Sequence, residues 1–429
     1  MVLFESGRWS KQELDRQIGA WIHHLGDLPI GARVGVLAFN RPQIVALFHA
    51  CGAAGLALAP FNARLTRGEL APLVKLARPA CVFADANLLD RIDGAEPFPS
   101  LTPIDPPSIP TAPDDRPLAA LFTSGTSGGP RLIELTHGNF RASDRASAMN
   151  LGRSTAQRWL LCLPMFHVGG LALVHRCAEY RASLVIENRP ERISALIDAG
   201  EVTHASLVPT ALDRLLEERQ RPFPKTLEAI LLGGGPIPTA TIARARALSA
   251  PVLATYGLTE ACSQVATERL ADADGSTVGC ALDGIELRIV NGEIEVRGPT
   301  VAPQFPGWLK TGDLGAIDER GRLTVLSRRS DLILSGGENI YPAELERILA
   351  EHPQVREVAV AGSSDPIWGQ VPVAVVVWRG PPPPEDQLVS WCRARLAGFK
   401  LPRRFIRAET LPRNANGKVD RIRLRALTA

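Results

Sequence analysis

Lysine is scarce in this 429-residue chain, which has six (Lys11, Lys75, Lys225, Lys310, Lys400 and Lys418) against forty-two arginines. Arginine is the default cation, so a position that retains lysine carries information. The formal net charge is only +3 and basic residues form no block, so neither nucleic acid nor an anionic membrane surface is an expected partner. No apolar run reaches the ~18 residues of a membrane span, and no charged-then-apolar leader opens the chain. A cytoplasmic protein is therefore expected. The seven cysteines (Cys51, Cys81, Cys162, Cys177, Cys262, Cys280 and Cys392) are odd in number, widely scattered and mostly inside apolar runs. They read as reduced core thiols rather than a disulfide framework. A Gly-Lys-Ser/Thr ending of the Walker A kind is also missing from the one obvious glycine-rich phosphate-loop candidate.

What is present is enough apolar sequence for large cores, in a chain long enough for two or three domains. Short apolar runs alternate with amphipathic stretches at 33–39, 43–53, 55–60, 65–76 and 80–84, the rhythm of α/β layering. Residues 98–117 are proline-rich and predict a surface connection. The alternation resumes from 158 to 255. From Gly284 it gives way to short strands at 286–290, 293–297 and 322–326, separated by turns such as Asn291-Gly292. Beyond Asp331 a smaller α+β module is expected, with helices at 342–351 and 385–396 and strands at 355–361, 371–377 and 405–406. The fold class is thus α/β: a large N-terminal domain of layered α/β subdomains with a β-rich subdomain (1–329), then a small α+β C-terminal domain (330–429).

Chemistry concentrates in a few stretches. Thr123-Ser124-Gly125-Thr126-Ser127-Gly128-Gly129-Pro130-Arg131 follows the apolar Ala119, Leu121 and Phe122 and precedes Leu132, Ile133 and Leu135, so it interrupts a sheet. Its freed backbone N–H groups, hydroxyls and one cation suit polyphosphate oxygens; a flexible Ser/Gly turn is the plainer alternative. Gly233-Gly234-Gly235-Pro236 ends an apolar strand where a flat ligand can lie against backbone, or where a strand simply turns into a helix. Tyr256-Gly257-Leu258-Thr259-Glu260 offers a ring, a hydroxyl and a carboxylate, and Glu260 can hold a hard cation that also takes phosphate and water oxygens. As an isolated acid it would be a solvated surface group. Thr311-Gly312-Asp313 can accept from two ribose hydroxyls or be an ordinary turn. Ser335-Gly336-Gly337-Glu338-Asn339 is another close-approach glycine pair. Asn416-Gly417-Lys418 puts a lysine on a glycine loop. In a chain this poor in lysine, a compact ammonium suits a charge developing between two oxygens better than a planar guanidinium.

In this order, with Leu163-Pro164-Met165-Phe166-His167 and the segment 328–342, these motifs resemble those of the adenylate-forming superfamily of acyl- and aryl-CoA synthetases, peptide-synthetase adenylation domains and beetle luciferases. The resemblance covers the chain from the 123–131 loop to its last dozen residues. Within the superfamily, segments 203–210, 232–238, 263–267 and 335–342 most resemble the o-succinylbenzoate-CoA ligases of menaquinone synthesis.

The resemblance implies ATP, Mg²⁺ and coenzyme A as co-substrates and cofactor, and a small carboxylic acid as substrate. It implies Lys418 between substrate carboxylate and α-phosphate, Thr259 on that phosphate, Glu260 on the metal, and Thr123 to Arg131 on the outer phosphates. Asp313 and Arg328 would contact ribose, with Gly233 to Pro236, Tyr256 and Gly257 around adenine. A mobile C-terminal domain, hinged near Ser330-Asp331, would bring Gly336 and Gly337 to the pantetheine arm. His167, Ser263 and Gln264 would border the acyl pocket, with Arg176 facing a second carboxylate or else snorkelling from its helix. Arg131 stands where the family usually has lysine and Leu132 where it has glycine, which implies a stiffer exit from the loop. A homodimer is expected by analogy. Three other functions are weighed against this one: an aryl- or acyl-CoA synthetase for another carboxylic acid, loading of a carrier protein's phosphopantetheine, and non-catalytic binding of an acyl-adenylate or nucleotide.

Overall fold

The computed structural model describes residues 1–5, 7–107, 111–124, 130–235, 237–335, 338–396, 398–414 and 417–429. The chain forms two compact units, one of Met1–Gly234, Arg244–Leu287 and Glu295–Leu309, the other of Gly235–Ala243, Arg288–Ile294 and Lys310–Ala429.

The first unit contains two sheets. The larger has nine strands in the spatial order Cys280–Ala281, Ser263–Thr267, Val252–Leu258, Ala229–Leu232, His204–Leu207, Arg158–Leu161, Ser183–Ile186, Val2–Phe4 and Gly7–Trp9. The run from Val252–Leu258 to Val2–Phe4 is parallel, and antiparallel strands close both edges. Parallel strands are covered on both faces, which is why Ala-Ile-Leu-Leu at 229–232 reads as an unbroken apolar run. The second sheet has six strands in the order Glu96–Pro97, Cys81–Ala84, Arg33–Leu37, Ala57–Phe61, Pro117–Ser124 and Pro130–Thr136. Its last pair is an antiparallel hairpin that matches Thr123 with Arg131 and Phe122 with Leu132.

Two helices of this unit matter for the site. His137–Leu151 starts at a capping box, in which Thr136 and Asn139 satisfy each other's backbone N–H groups. The Asn139 amide also donates to the carbonyls of Pro299 and Val301. Val168–Tyr180 begins at His167 and ends at Arg181 in the left-handed conformation.

In the second unit a five-stranded sheet runs Glu338–Ile340, Ile333–Ser335, Gly369–Trp378, Val355–Asp365, with Arg404–Arg407 parallel to Gly369–Trp378. Helices Pro342–Ala350 and Glu385–Arg393 lie close to their expected positions. A last helix, Arg421–Thr428, was not expected; its N-cap Asp420 accepts from the N–H groups of Ile422 and Arg423. Thr311-Gly312-Asp313, for which a ribose contact and an ordinary turn were both open, lies inside the nine-residue strand Leu309–Ile317. The glycine is at φ +73° there, so the local kink is real although pairing continues.

Candidate functional site

In open α/β sheets, ligands bind beyond the carboxyl ends of the strands. Three of the expected motifs leave this edge of the large sheet. The 163–167 segment follows Arg158–Leu161, the glycine run follows Ala229–Leu232, and Thr259-Glu260 follows Val252–Leu258.

Gly233, Gly234 and Gly257 are required by the backbone around them. A Cβ on Gly233 would meet the Thr255 carbonyl oxygen at 2.7 Å, and Gly234 sits at φ +79°. A Cβ on Gly257 would lie 1.8 Å from the Ser263 carbonyl oxygen, because strands Val252–Leu258 and Ser263–Thr267 close on each other through a bulge between Tyr256 and Gly257. Thr259, Glu260 and Ala261 form a single 3₁₀ turn. Cys262 and Ser263 after it adopt φ +51° and +88°, an uncommon conformation for residues with side chains. Two outside contacts fix this turn: Ser143 Oγ donates to the Cys262 carbonyl at 2.8 Å, and Ala302 N–H donates to the Glu260 carbonyl at 2.8 Å. Glu260 is half-buried and carries no ion pair among the described residues, and Tyr256 is buried.

At the hairpin of the smaller sheet, Gly125, Thr126, Ser127 and Gly128 lie outside the described residues, as do Pro236, Gly336 and Gly337. Ser124 ends its strand. Thr123 is placed, and its buried hydroxyl has no hydrogen-bond partner among the described residues, an orphan suited to a phosphate oxygen. Arg131 and Leu132 are strand residues, so no helix follows the loop directly and Leu132 is held by cross-strand pairing. Phe166 and Ala120 share a buried cluster against which the half-buried Phe122 and Leu132 pack, which brings His167 to this side of the unit.

The sequence missed Asn40, which holds the His167 segment. Its side-chain amide donates to the Leu163 carbonyl at 2.9 Å, while its oxygen accepts from Met165 N–H at 2.8 Å. The only signal was a polar residue directly after an apolar strand.

Arg176 does not snorkel. It is 2 % exposed, its Nη2 donates to Gln264 Oε1 at 2.9 Å, and its guanidinium lies over the Trp159 ring at 5.3 Å. The network continues from Gln264 Nε2 to Thr267 Oγ1 at 3.0 Å and on to Thr255 Oγ1 at 2.7 Å. Two residues expected separately at the acyl pocket, Arg176 and Gln264, are thus hydrogen-bonded partners, and Ser263 is the neighbour of one of them. Among the described residues no group of three or more His, Cys, Asp or Glu side chains forms a metal cage. A hard cation at Glu260 would therefore take its remaining ligands from phosphate and water, which is how Mg²⁺ usually binds.

The second unit gathers Asp313, Arg328 and Lys418. Asp313 and Arg328 face each other across paired strands, Arg328 Nε lying 2.8 Å from Asp313 Oδ1. Thr311 Oγ1 donates to the Ile294 carbonyl and accepts from Asp313 N–H, fixing the carboxylate's backbone. Lys418 sits on a closed loop. Its N–H donates to Asn414 Oδ1 at 3.1 Å, Asn414 N–H donates to the Lys418 carbonyl at 2.8 Å, and Gly417 turns at φ +75°. Arg413 donates to the Gly417 carbonyl and pairs with Glu357. The Lys418 pKa is lowered by desolvation first and by Arg328 second, with Asp313 opposing. Lys418 is an exposed residue, so the desolvation is partial.

Comparison with known proteins identifies the family. The AMP-binding enzyme family matches residues 2–305, and the AMP-binding enzyme C-terminal domain matches residues 344–418. A 2-succinylbenzoate–CoA ligase of Bacillus pumilus is 35% identical over 460 aligned residues, covering 99% of this chain and 94% of the relative. One from Bacillus cytotoxicus is 39% identical, covering 92% and 89%. Among solved structures, the o-succinylbenzoate CoA synthetase of Bacillus subtilis with its acyl-adenylate intermediate superposes with a TM-score of 0.90 at 33% identity, covering 99% of this chain and 94% of that one. ATP-bound MatB from Rhodopseudomonas palustris gives 0.91 at 28% identity, covering 99% and 95%.

Proposed function

Because the chain belongs to the AMP-binding enzyme family, we propose that it is an ATP-dependent carboxylate–CoA ligase acting on o-succinylbenzoate, within menaquinone synthesis. A carboxylate is a poor electrophile, since it is anionic and would have to expel oxide. Attack of its oxygen on the α-phosphate of ATP expels pyrophosphate and leaves an acyl-adenylate, whose AMP is a good leaving group. The thiol of coenzyme A then forms the thioester and releases AMP.

The first step brings two anions together, so its transition state needs cations and oriented donors. Lys418 supplies the compact cation between carboxylate and α-phosphate, and Thr259 donates to that phosphate. Thr123, Ser124 and Arg131, with residues 125–128, hold the departing pyrophosphate. Glu260 would hold Mg²⁺, which when bound neutralises phosphate charge. Asp313, oriented by Arg328, accepts from ribose. Gly233, Gly234, Gly235, Pro236, Tyr256 and Gly257 border the base. In the acyl pocket, His167, Ser263 and Gln264 line the carboxylic acid, and Arg176 pairs with its second carboxylate. The C-terminal domain, residues 330–429, turns about Ser330-Asp331 between the steps, withdrawing Lys418 and presenting Gly336 and Gly337 to the pantetheine arm. A homodimer in the cytoplasm belongs to the same proposal.

The observation that carries the reaction is the likeness of this chain over nearly its whole length to 2-succinylbenzoate–CoA ligases, with a buried Thr123 hydroxyl, unpartnered among the described residues, beside the phosphate-loop candidate. ATP–pyrophosphate exchange with a panel of carboxylic acids tests it: o-succinylbenzoate should support exchange, and failure of every acid would refute a ligase. Lys418→Ala should lose exchange by on the order of a hundredfold or more while still converting supplied acyl-adenylate to thioester. Equal loss of both steps would contradict the rotating domain.

A further inference from the structure

Arg176 is a buried cation, and a buried charge is costly unless it is paired. Among the described residues the acid within ion-pair reach of it is Asp144, 1 % exposed, on the helix His137–Leu151. Yet the pair is unfinished. Arg176 Nε and Asp144 Oδ1 are 3.9 Å apart, and neither atom has a hydrogen-bond partner among the described residues. The other carboxylate oxygen, Oδ2, is 2.6 Å from Nδ1 of His175, the residue just before Arg176. An ionised carboxylate only accepts, so Nδ1 carries the hydrogen of that bond. Tyr180 OH donates to the Asp144 main-chain carbonyl at 2.5 Å, tying the two helices together. On its other side the guanidinium is fixed by Gln264, while Nη1 makes no hydrogen bond among the described residues.

We propose that Asp144, anchored by His175, is a positioning residue for Arg176, orienting its guanidinium so that the uncommitted edge receives the second carboxylate of a dicarboxylic substrate. This rests on the assignment of Arg176 to that carboxylate. At 3.9 Å Asp144 attracts the guanidinium without occupying a donor. A closed bidentate pair would instead neutralise Arg176 and compete with the ligand. His175 prevents that closure by holding Oδ2, and Gln264 and Trp159 keep the plane from turning. The site is thereby an arginine with a counter-charge in place and part of its fork unspent, a form of preorganisation for a ligand anion.

The test is the ratio of kcat/KM for o-succinylbenzoate to kcat/KM for the same skeleton lacking the second carboxylate, measured by pyrophosphate exchange on the full chain. Asp144→Asn preserves shape and should lower this ratio by on the order of tenfold, mostly through KM. His175→Phe should lower it in the same direction, and Arg176→Ala should abolish the preference. If Arg176→Ala abolishes it but Asp144→Asn leaves the ratio unchanged, or reduces both substrates equally, the positioning role is wrong and the Arg176 assignment stands. If Arg176→Ala leaves the ratio unchanged, the assignment itself fails. Because both substrates are read on one preparation, partial misfolding cancels from the ratio.

Discussion

At the scale of single residues, Lys418 stands in a balance of opposite charges. Desolvation and the Arg328 guanidinium lower its pKa, and the Asp313 carboxylate raises it. A lysine with a lowered pKa loses its positive charge at a lower pH than an ordinary lysine. The alkaline limb of pyrophosphate exchange at saturating ATP should therefore fall below the ordinary lysine range. Arg328→Gln removes a like charge and should move the limb up, whereas Asp313→Asn removes the opposing charge and should move it down. Shifts in the same direction, or none, would show that Lys418 is not the titrating group. The sequence singled out Lys418 by scarcity, but the balance acting on it needs three residues spread over a hundred positions. The Asp144–His175–Arg176 cluster was equally hidden. Arg176 and Gln264 were legible as separate candidates, but a helical arginine looks the same in sequence whether its head reaches water or a buried partner.

Among the elements, the glycines of the large sheet's carboxyl edge carry the clearest prediction. Gly257→Ala places a methyl group 1.8 Å from a main-chain oxygen, which no side-chain rotation relieves. It should cost about 3 kcal/mol or more of stability, read as a lower midpoint in chemical denaturation. Gly235→Ala meets nothing within 4 Å and should leave that midpoint nearly unchanged. Equal effects would mean that the two strands do not approach so closely. Periodicity located most helices and strands of both units, because buried parallel strands are uniformly apolar and bounded by turns. It did not mark the strand Leu309–Ile317, because that pairing is supplied only by the partner strand, Asp313 opposite Arg328. It also missed the Arg421–Thr428 helix, whose five-residue opening Arg-Ile-Arg-Leu-Arg alternates as a strand would. There, buried Leu424 and the Asp420 cap decide for helix.

At the scale of the whole molecule, buried histidines link folding to pH. Burial lowers His137 from 6.5 to about 4, with Arg141 next, and lowers His204 from 6.5 to about 4, with Arg176 next. Both are neutral in the folded chain at neutral pH. As pH falls below about 6.5 the unfolded chain takes up these protons first, so stability is full above that value and is lost progressively toward pH 4. Denaturation midpoints between pH 7 and pH 4.5 should fall steadily, and a His137→Gln, His204→Gln double variant should flatten the slope even if it is less stable throughout. A slope unchanged by the double variant would place the acid sensitivity elsewhere. The same scale holds the proposed hinge. Asp331 is tied to the last helix by Arg425 Nη2 at 2.9 Å and faces Arg421 Nε at 3.7 Å. Arg421 in turn holds Glu346 at 2.7 Å, so residues 330–331 are anchored by an element the sequence did not reveal.

By itself the sequence determined the layered α/β class, the order of the candidate site motifs and the family, because these depend on local patterns: apolar periodicity, glycine where backbone must be approached, and a rare lysine in a chain of arginines. Tertiary structure decided which of those residues share an environment. It left the buried Thr123 hydroxyl without a partner among the described residues, placed Thr311-Gly312-Asp313 within a strand, and set Arg176 against Asp144, Gln264 and Trp159 rather than in water. Desolvation and charge pairing depend on distance in space, and no local pattern in the chain encodes that distance.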